Sequence, residues 1–210
     1  MICIVDYGMG NLRSVHKALE WVGCDARVTS DATEIQRASK LILPGVGAFA
    51  DCMRNLSVRG LLEPIISVVQ GGRPFLGICL GLQLLFDESE EFGLHQGMGI
   101  LPGRVTRFPD NLTDPETGER CPVPHMGWNT VAFSSSTPLF EGIQTGSYFY
   151  FVHSYYAVPD NPHDTIGTTS YGMDFTSAVQ RNNIMAVQFH PEKSHTVGLH
   201  LLRNFVRISG

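Results

Sequence analysis

Through its first half the chain alternates short apolar runs with helix-period segments, and no other feature restricts the fold as much. "ICIV" is an apolar run of strand length, and "NLRSVHKALEWVG" sets Leu12, Val15, Leu19 and Val22 on one helical face before stopping at Gly23. "DARVT" predicts the next strand. "SDATEIQRA" offers Asp31 and Glu34 as a capping box for a short helix, and "KLILPG" is a strand halted at a Pro-Gly turn. "GLLEPIISVVQGG" then reads as a helix with Pro64 in its early turns, "PFLGI" as a strand and "LGLQLLFDES" as a helix. Apolar strands joined by helical crossovers need cover on both sides, so the expected class is α/β: an open, doubly wound, mostly parallel sheet with helices on both faces.

From about Val105 the texture changes. "VPHMGWNTVAF", "SYFYFVHSYYAV", "DTIGTTSYG", "SAVQRNN" and "IMAVQFHPE" are β-like pieces joined by Pro, Gly and Asn turns, which adds antiparallel strands in the C-terminal half. "QRNNIMAV" predicts a hairpin around Asn182 and Asn183, "TVGLHLLRNFVRI" a final helix, and "PDNLTDPETGERCPVP" a surface excursion. No internal repeat is visible. With 210 residues, 43% of them hydrophobic, a single domain over 1–210 is expected.

Charge and cysteine usage narrow the function classes. The net charge is −5 and no run of Lys or Arg occurs, so a nucleic-acid surface has nothing to stand on. "MICIVDYGMG" has no basic segment before its apolar run and reaches Asp6 at once, which fits neither a secretory signal nor a membrane span and suggests a cytoplasmic protein without membrane contact. Five cysteines without a C-x-x-C pair argue against a disulfide framework or a zinc ribbon, and most read as small buried hydrophobes.

Cys79 is the exception. It lies between Gly77-Ile78 and Leu80-Gly81, where a strand gives way to a helix, and the small flanking residues suit a strained turn that pushes the side chain out of the strand end. A helix N-terminus beneath the sulfur favours the anion that thiol chemistry needs. The pentapeptide alone fits equally a packed cysteine whose glycine neighbours let helix approach strand. In "MAVQFHPEKS", His190 follows an apolar strand and Glu192 lies two residues on, on the same side of an extended segment, a base with its orienter. Cys79, His190 and Glu192 thus form a candidate Cys-His-Glu triad. "LILPGVGAFADCM" releases Gly45-Val46-Gly47 at a strand end, where two glycines permit dihedrals that aim backbone N–H groups at an oxyanion. A metal hydrolase built on His190, Glu192 and His195 lacks the H-E-x-x-H spacing, and no metal or cofactor is called for.

These pieces together, G-x-C-x-G with "LGLQLL", a distant "HPE" and the glycine-rich turn, resemble the class I (triad) glutamine amidotransferases. "IVDYGMGNLRSV", "LPGVGAFADCM", "HMGWN", "YFVHSYY" and "QFHPEKSHTVGLHLLRNF" resemble, within that family, the branch that supplies ammonia to imidazole glycerol phosphate synthases in histidine biosynthesis. The resemblance implies glutamine as substrate, Cys79 as nucleophile, His190 as acid and base, Glu192 as orienter, and the N–H groups of Val46 and Leu80 as the oxyanion hole beside Gly45 and Gly47. It gives Gln83, Ser154 and Tyr155 contacts to the amino-acid end of glutamine. From the residues alone, Gln83 fits a solvated helix position and "FYFVHSYY" a core strand equally well. The resemblance further implies a separate (β/α)8-barrel synthase subunit in a heterodimer, with Asn11, Trp128, Tyr150 and Lys193 at the interface; for Trp128, a place among turn residues suits an interface anchor. Ammonia donors for pyridoxal phosphate, anthranilate or carbamoyl phosphate synthesis, and a noncatalytic regulator of the same fold, are the alternatives.

Overall fold

The computed structural model describes residues 1–133 and 137–209. The first half runs β1 (Ile2–Val5), α1 (Leu12–Trp21), β2 (Ala26–Thr29), α2 (Ala32–Arg37), β3 (Lys40–Gly45), α3 (Phe49–Val58), α4 (Leu62–Gln70), β4 (Phe75–Cys79) and α5 (Leu80–Gln83). The second half runs β5 (Phe86–Ser89), β6 (His95–Gln96), β7 (Leu101–Arg107), β8 (His125–Phe133), β9 (Ser147–His153), β10 (Tyr155–Pro159), β11 (Thr165–Ser170), β12 (Asp174–Arg181), β13 (Ile184–Val187) and α6 (His195–Arg207). The sheet order is β2-β1-β3-β4-β13-β12-β10-β7-β5-β6. Its first five strands are mutually parallel, and β12 turns the pairing antiparallel. β8 and β9 form a ribbon attached through β11.

Alternation along the parallel strands divides the core into two layers. Ile2, Ile4, Ile42, Leu76, Ile78, Met185 and Val187 face α1 and α6, where Val15, Leu19, Leu201, Leu202 and Phe205 are buried. Cys3, Val5, Leu41, Leu43, Phe75, Ile184 and Ala186 face the other way, toward Ile35 of α2, Cys52 and Leu56 of α3, and Ile65 and Val68 of α4. Helices on both faces and a parallel half are as expected. The carboxyl ends of three neighbouring strands converge: Gly45 of β3 pairs with Cys79 of β4, and Val187 of β13 pairs with Ile78. Open α/β sheets bind ligands at such an edge.

Several details differ from the sequence reading. The helix expected over 80–89 stops at Gln83, because Leu80–Phe86 is buried on every side and the chain leaves as β5 to pair with β7. Helix α3 was not anticipated, although Phe49, Cys52 and Leu56 make its buried stripe. Asp31 caps α2 by accepting from the Thr33 and Glu34 amides, but Glu34 does not return the bond and pairs with Arg27 at 2.6 Å. The hairpin at Asn182-Asn183 is present, with Asn182 at φ +54° and Asn183 Nδ2 donating to the carbonyls of Val69 and Arg73. The excursion is exposed over most of its length, yet it tucks Cys121 into the interior and accepts a bond from the Tyr171 hydroxyl at Pro122. No helix among the described residues is long and apolar enough to cross a membrane.

A buried histidine pair joins β8 to β9. Tyr155 O accepts from His153 Nδ1 at 2.8 Å, which leaves His153 Nε2 to accept from His125 Nδ1 at 3.0 Å, and Asn129 Nδ2 lies 3.2 Å from His125 Nε2. Two neutral rings satisfy this chain, and Phe108, Phe151, Tyr171 and Phe175 surround them. Burial pushes the His125 pKa down to about 4 and, against the Tyr155 carbonyl, that of His153 down to about 3. Unfolded histidines titrate near pH 6.5, so below that value the unfolded chain binds more protons and stability falls. Acidification from pH 6.5 to 4 should cost on the order of 3 kcal/mol or more. Urea midpoints at pH 7, 6 and 5 should decline in that order; a midpoint unchanged down to pH 5 would contradict the buried neutral pair.

Candidate active site

The first element of the site is a turn with no spare room. Cys79 ends β4 at φ +55°, ψ −110°, a backbone conformation that costs a non-glycine residue about 1–3 kcal/mol. What forces it is the approach of α5 to β3. A Cβ on Gly81 would stand 1.9 Å from the Leu43 carbonyl oxygen, and one on Gly77 would stand 2.6 Å from the Gly81 oxygen. Both glycines of the G-x-C-x-G run are therefore required by close approach. With only four residues, α5 has little macrodipole; the local positive feature is the Leu80 N–H, which as the first amide of a helix has no intrahelical acceptor.

His190 and Glu192 come from the end of β13. They are not on an extended segment: Pro191–Lys193 is a 3-10 turn, and it is this turn that brings Glu192 Oε1 to 2.8 Å from His190 Nδ1. Both side chains are almost fully buried, 2% and 1% exposed. His190 Nε2 and Glu192 Oε2 are the buried side-chain polar atoms without a hydrogen-bond partner among the described residues. Burial opposes a charge on His190, but the facing Cys79 sulfur and then the Glu192 carboxylate outweigh it and lift the imidazole pKa to about 10. The backbone of the histidine is braced as well. Its N–H donates to Tyr150 O at 2.9 Å, while Ser194 Oγ donates to His190 O at 2.6 Å and accepts from the Tyr150 N–H at 3.0 Å.

Beyond β3 the chain passes Gly45, Val46 and Gly47. Gly47 uses its freedom, at φ +98°, whereas Gly45 is set by space: a Cβ there would stand 2.8 Å from Leu80 Cβ and from the Tyr7 hydroxyl. Tyr7 Oη donates to Pro44 O at 3.0 Å, and the Cys52 thiol to Val46 O at 3.6 Å.

The three strand ends enclose a cleft of about 280 Å³ lined by Val46, Gly47, Cys79, Leu80, Gln83, Ser154, Tyr155 and His190 of the residues singled out from sequence. Gly45 lies behind Leu80, and Glu192 behind His190. Gln83 is not solvated: it is buried, and its Nε2 donates to Tyr155 O at 2.9 Å and Gln188 Oε1 at 3.0 Å. Pro124, Glu91 and His153 also line the cleft and were not anticipated. Glu91 Oε2 accepts from the Phe49 N–H at the start of α3, at 2.6 Å, and burial raises its carboxyl pKa against that bond.

On the outside of the same histidine turn, Trp128 stacks on His195 with ring centroids 4.9 Å apart and meets Tyr150 edge-on at 6.0 Å, and Lys193 Nζ sits 5.7 Å from the Tyr150 ring centre. Trp128 is exposed at 44%. Asn11 stands apart from this cluster in sequence, as the N-cap of α1, a helix that packs against the 191–193 turn; its side chain makes no cap bond.

The glutamine amidotransferase class-I family matches residues 3–208. The chain is 58% identical over 205 residues to the imidazole glycerol phosphate synthase subunit HisH of Syntrophotalea carbinolica, covering 98% of each chain. It is 55% identical to the protein of the same name from Geobacter metallireducens, covering 97% of this chain and 96% of that one. Among solved structures, it resembles a glutamine amidotransferase with a TM-score of 0.73 at 19% identity, over 98% of this chain and 97% of the other. It also resembles PurLQS of Thermotoga maritima, with a TM-score of 0.72 at 18% identity, over 98% and 96%. These last two speak to the fold.

The elbow makes a direct prediction. Gly81→Ala should destabilise the protein by about 3 kcal/mol or more, because the new methyl overlaps backbone that cannot retreat. Gly23→Ala, which strains a left-handed φ of +81° but meets nothing within 4 Å, should cost only about 1–2 kcal/mol. Urea unfolding of the two variants side by side measures the difference, and a loss at Gly81 no larger than that at Gly23 would show that the backbone there can retreat and would contradict the close-approach account.

Proposed function

The chain belongs to the class-I glutamine amidotransferases, and we propose that it is the glutaminase subunit of imidazole glycerol phosphate synthase, releasing ammonia from glutamine for a second, synthase subunit. One observation carries the reading: Cys79, on its strained turn, faces the buried and unpartnered Nε2 of His190, whose Nδ1 is fixed by Glu192 at 2.8 Å. This is a nucleophile, a base and an orienter in sequence. The relatives at 55–58% identity support the pathway and disfavour ammonia donors of other pathways.

In the proposed cycle, Cys79 Sγ adds to the side-chain carbonyl carbon of glutamine, and the charge moves onto oxygen, where the N–H groups of Leu80 and Val46 receive it. His190, held as imidazolium, protonates the amide nitrogen; the C–N bond breaks, ammonia leaves and a glutamyl thioester remains. The now neutral imidazole takes a proton from water as the water oxygen attacks the thioester, and the thiolate departs to give glutamate. Glu192 keeps the ring in one orientation and supports its charge. At the amino-acid end, Glu91 is the one carboxylate lining the cleft among the described residues and suits the α-ammonium group; Gln83 Oε1 and the Ser154-Tyr155 backbone complete that end.

Ammonia free in water is mostly ammonium, so the product needs a protected path to an acceptor. We assign this to a (β/α)8-barrel synthase docking on the Trp128, Tyr150 and Lys193 face with Asn11 at its margin, in a heterodimer acting in the cytoplasm. One amidotransferase domain over 1–210 would carry the glutaminase half.

Cys79→Ser should abolish glutamine hydrolysis, while the complex with the synthase subunit should still turn over with added ammonium salt. His190→Ala should lose more activity than Glu192→Gln, since the latter keeps a base in place. Steady-state glutamate release by the complex is the measurement. Glutaminase activity near the parent rate in Cys79→Ser would overturn the assignment.

Glu91→Gln is expected to raise KM for glutamine about tenfold or more with a smaller change in kcat, because a charge-assisted bond to the α-ammonium is lost in ground and transition states alike. A fall in kcat at unchanged KM would remove Glu91 from substrate recognition.

A further inference from the structure

Gln188 has no role in the cycle described above, yet it touches the sulfur. It follows β13 directly, its side chain is fully buried, and its backbone N–H donates to Ser177 O at 2.9 Å, which fixes where the side chain starts. Its Oε1 accepts from Gln83 Nε2 at 3.0 Å and its Nε2 donates to Cys79 Sγ at 3.7 Å.

The direction of this chain follows from its far end. Tyr155 O, 2.9 Å from the Gln83 amide, can only accept, so Gln83 must present its NH2 group there. The same NH2 group then faces Gln188, which must answer with its oxygen, and the Gln188 NH2 group is left pointing at the sulfur. Reversing either amide sets donor against donor or acceptor against acceptor inside the core. A buried N–H aimed at sulfur favours the thiolate over the thiol and holds the Cys79 side chain at one angle.

We propose that Gln188 is a further catalytic residue of this site, stabilising the Cys79 thiolate by a direct N–H bond, and that Gln83 is its positioning residue. This deepens the glutaminase reading and rests on it. The chain has a second consequence. Gln83 lines the glutamine cleft with its remaining oxygen while its nitrogen orders Gln188, so the wall that meets the substrate is mechanically continuous with the group that meets the nucleophile.

The test is the rate of Cys79 alkylation by iodoacetamide across pH, which reports the thiolate without any turnover, with Cys79→Ser as the blank for the other cysteines. Other titratable groups around the sulfur are His190 with Glu192 behind it, Tyr7 and Cys52 beneath the β3 turn, and Glu91, His153 and Tyr155 around the cleft; the variants leave all of them in place. Gln188→Met keeps length and volume but has no donor. It should slow alkylation at pH 7 about tenfold, move the pH–rate profile upward, and lower kcat for glutamine by a similar factor with KM within about threefold of the parent. Gln188→Asn, whose amide falls short of the sulfur, should give the same direction with smaller size, and it serves if the Met variant fails to fold. Variants that fold, as judged by urea midpoints, but alkylate and turn over like the parent would reduce Gln188 to packing. A parent complex that hydrolyses no glutamine would instead sink the glutaminase reading, whatever the alkylation profiles.

Discussion

The contact between Gly81 and the Leu43 carbonyl governs the rest of the site. Because β4 cannot turn into α5 at any greater distance from β3, the residue between them takes a left-handed conformation, and the side chain at that position leaves the strand toward the open edge of the sheet. Gly45 stands beside Cys79 in the β3–β4 register, and Val46, the next residue, lines the same cleft as the sulfur. Position 79 accepts strain of about 1–3 kcal/mol, which the two packed layers on either side of the sheet must offset. The proposed nucleophile is thus presented by backbone packing, not by a long helix: α5 is too short for its dipole to matter, and the positive feature left at its start is the Leu80 N–H, which has no intrahelical acceptor.

Three buried histidines show how partners, not burial, decide charge. His125 and His153 sit among aromatic rings and meet only each other, an amide and a carbonyl, so the neutral form satisfies every contact and burial drives their pKa values down. His190 is buried to a similar degree but meets a carboxylate on one nitrogen and a sulfur across the other, and its pKa moves the opposite way. A charged ring against a buried carboxylate needs a rigid frame, because separating a buried ion pair leaves an uncompensated charge. The bonds from Tyr150 O to the His190 amide and from Ser194 to both residues supply that frame.

Sequence reading reached the parallel half of the sheet and its cover on both faces, and it singled out Cys79, His190 and Glu192, which the fold brings together, because each rests on local signals: apolar alternation, a pair of glycines around a cysteine, a His-Pro-Glu turn. It failed where the deciding partner is distant. Residues 84–89 carry a plausible helical pattern, but burial of Leu84, Leu85 and Phe86 and pairing with β7 claim them for a turn and a strand. Glu91 lies in an acidic stretch that looks solvated until α3 brings the Phe49 amide against it, and Gln188 looks like one more strand residue until Gln83 arrives from the far side of the elbow. The reason given for Glu192 was also incomplete: it reaches His190 through a 3-10 turn, which a proline at 191 starts and the i, i+2 rule for strands does not describe.

The arrangement of β9 connects the outer face of the molecule to the cleft through very few atoms. Tyr150 shows its ring to Trp128 and Lys193 on the surface, while its carbonyl holds the His190 amide and its own amide holds Ser194, which in turn bonds the His190 carbonyl. A body resting on the Tyr150 ring therefore acts one residue's width from the backbone that sets the proposed base. Two bonds of normal length on a buried, braced segment transmit displacement better than a loop would, since neither can lengthen without leaving a buried polar group unpaired. The surface patch and the imidazole are consequently joined through the backbone of one residue, and a body seated there would meet the turn that carries the proposed base directly and not through a chain of intermediate packing.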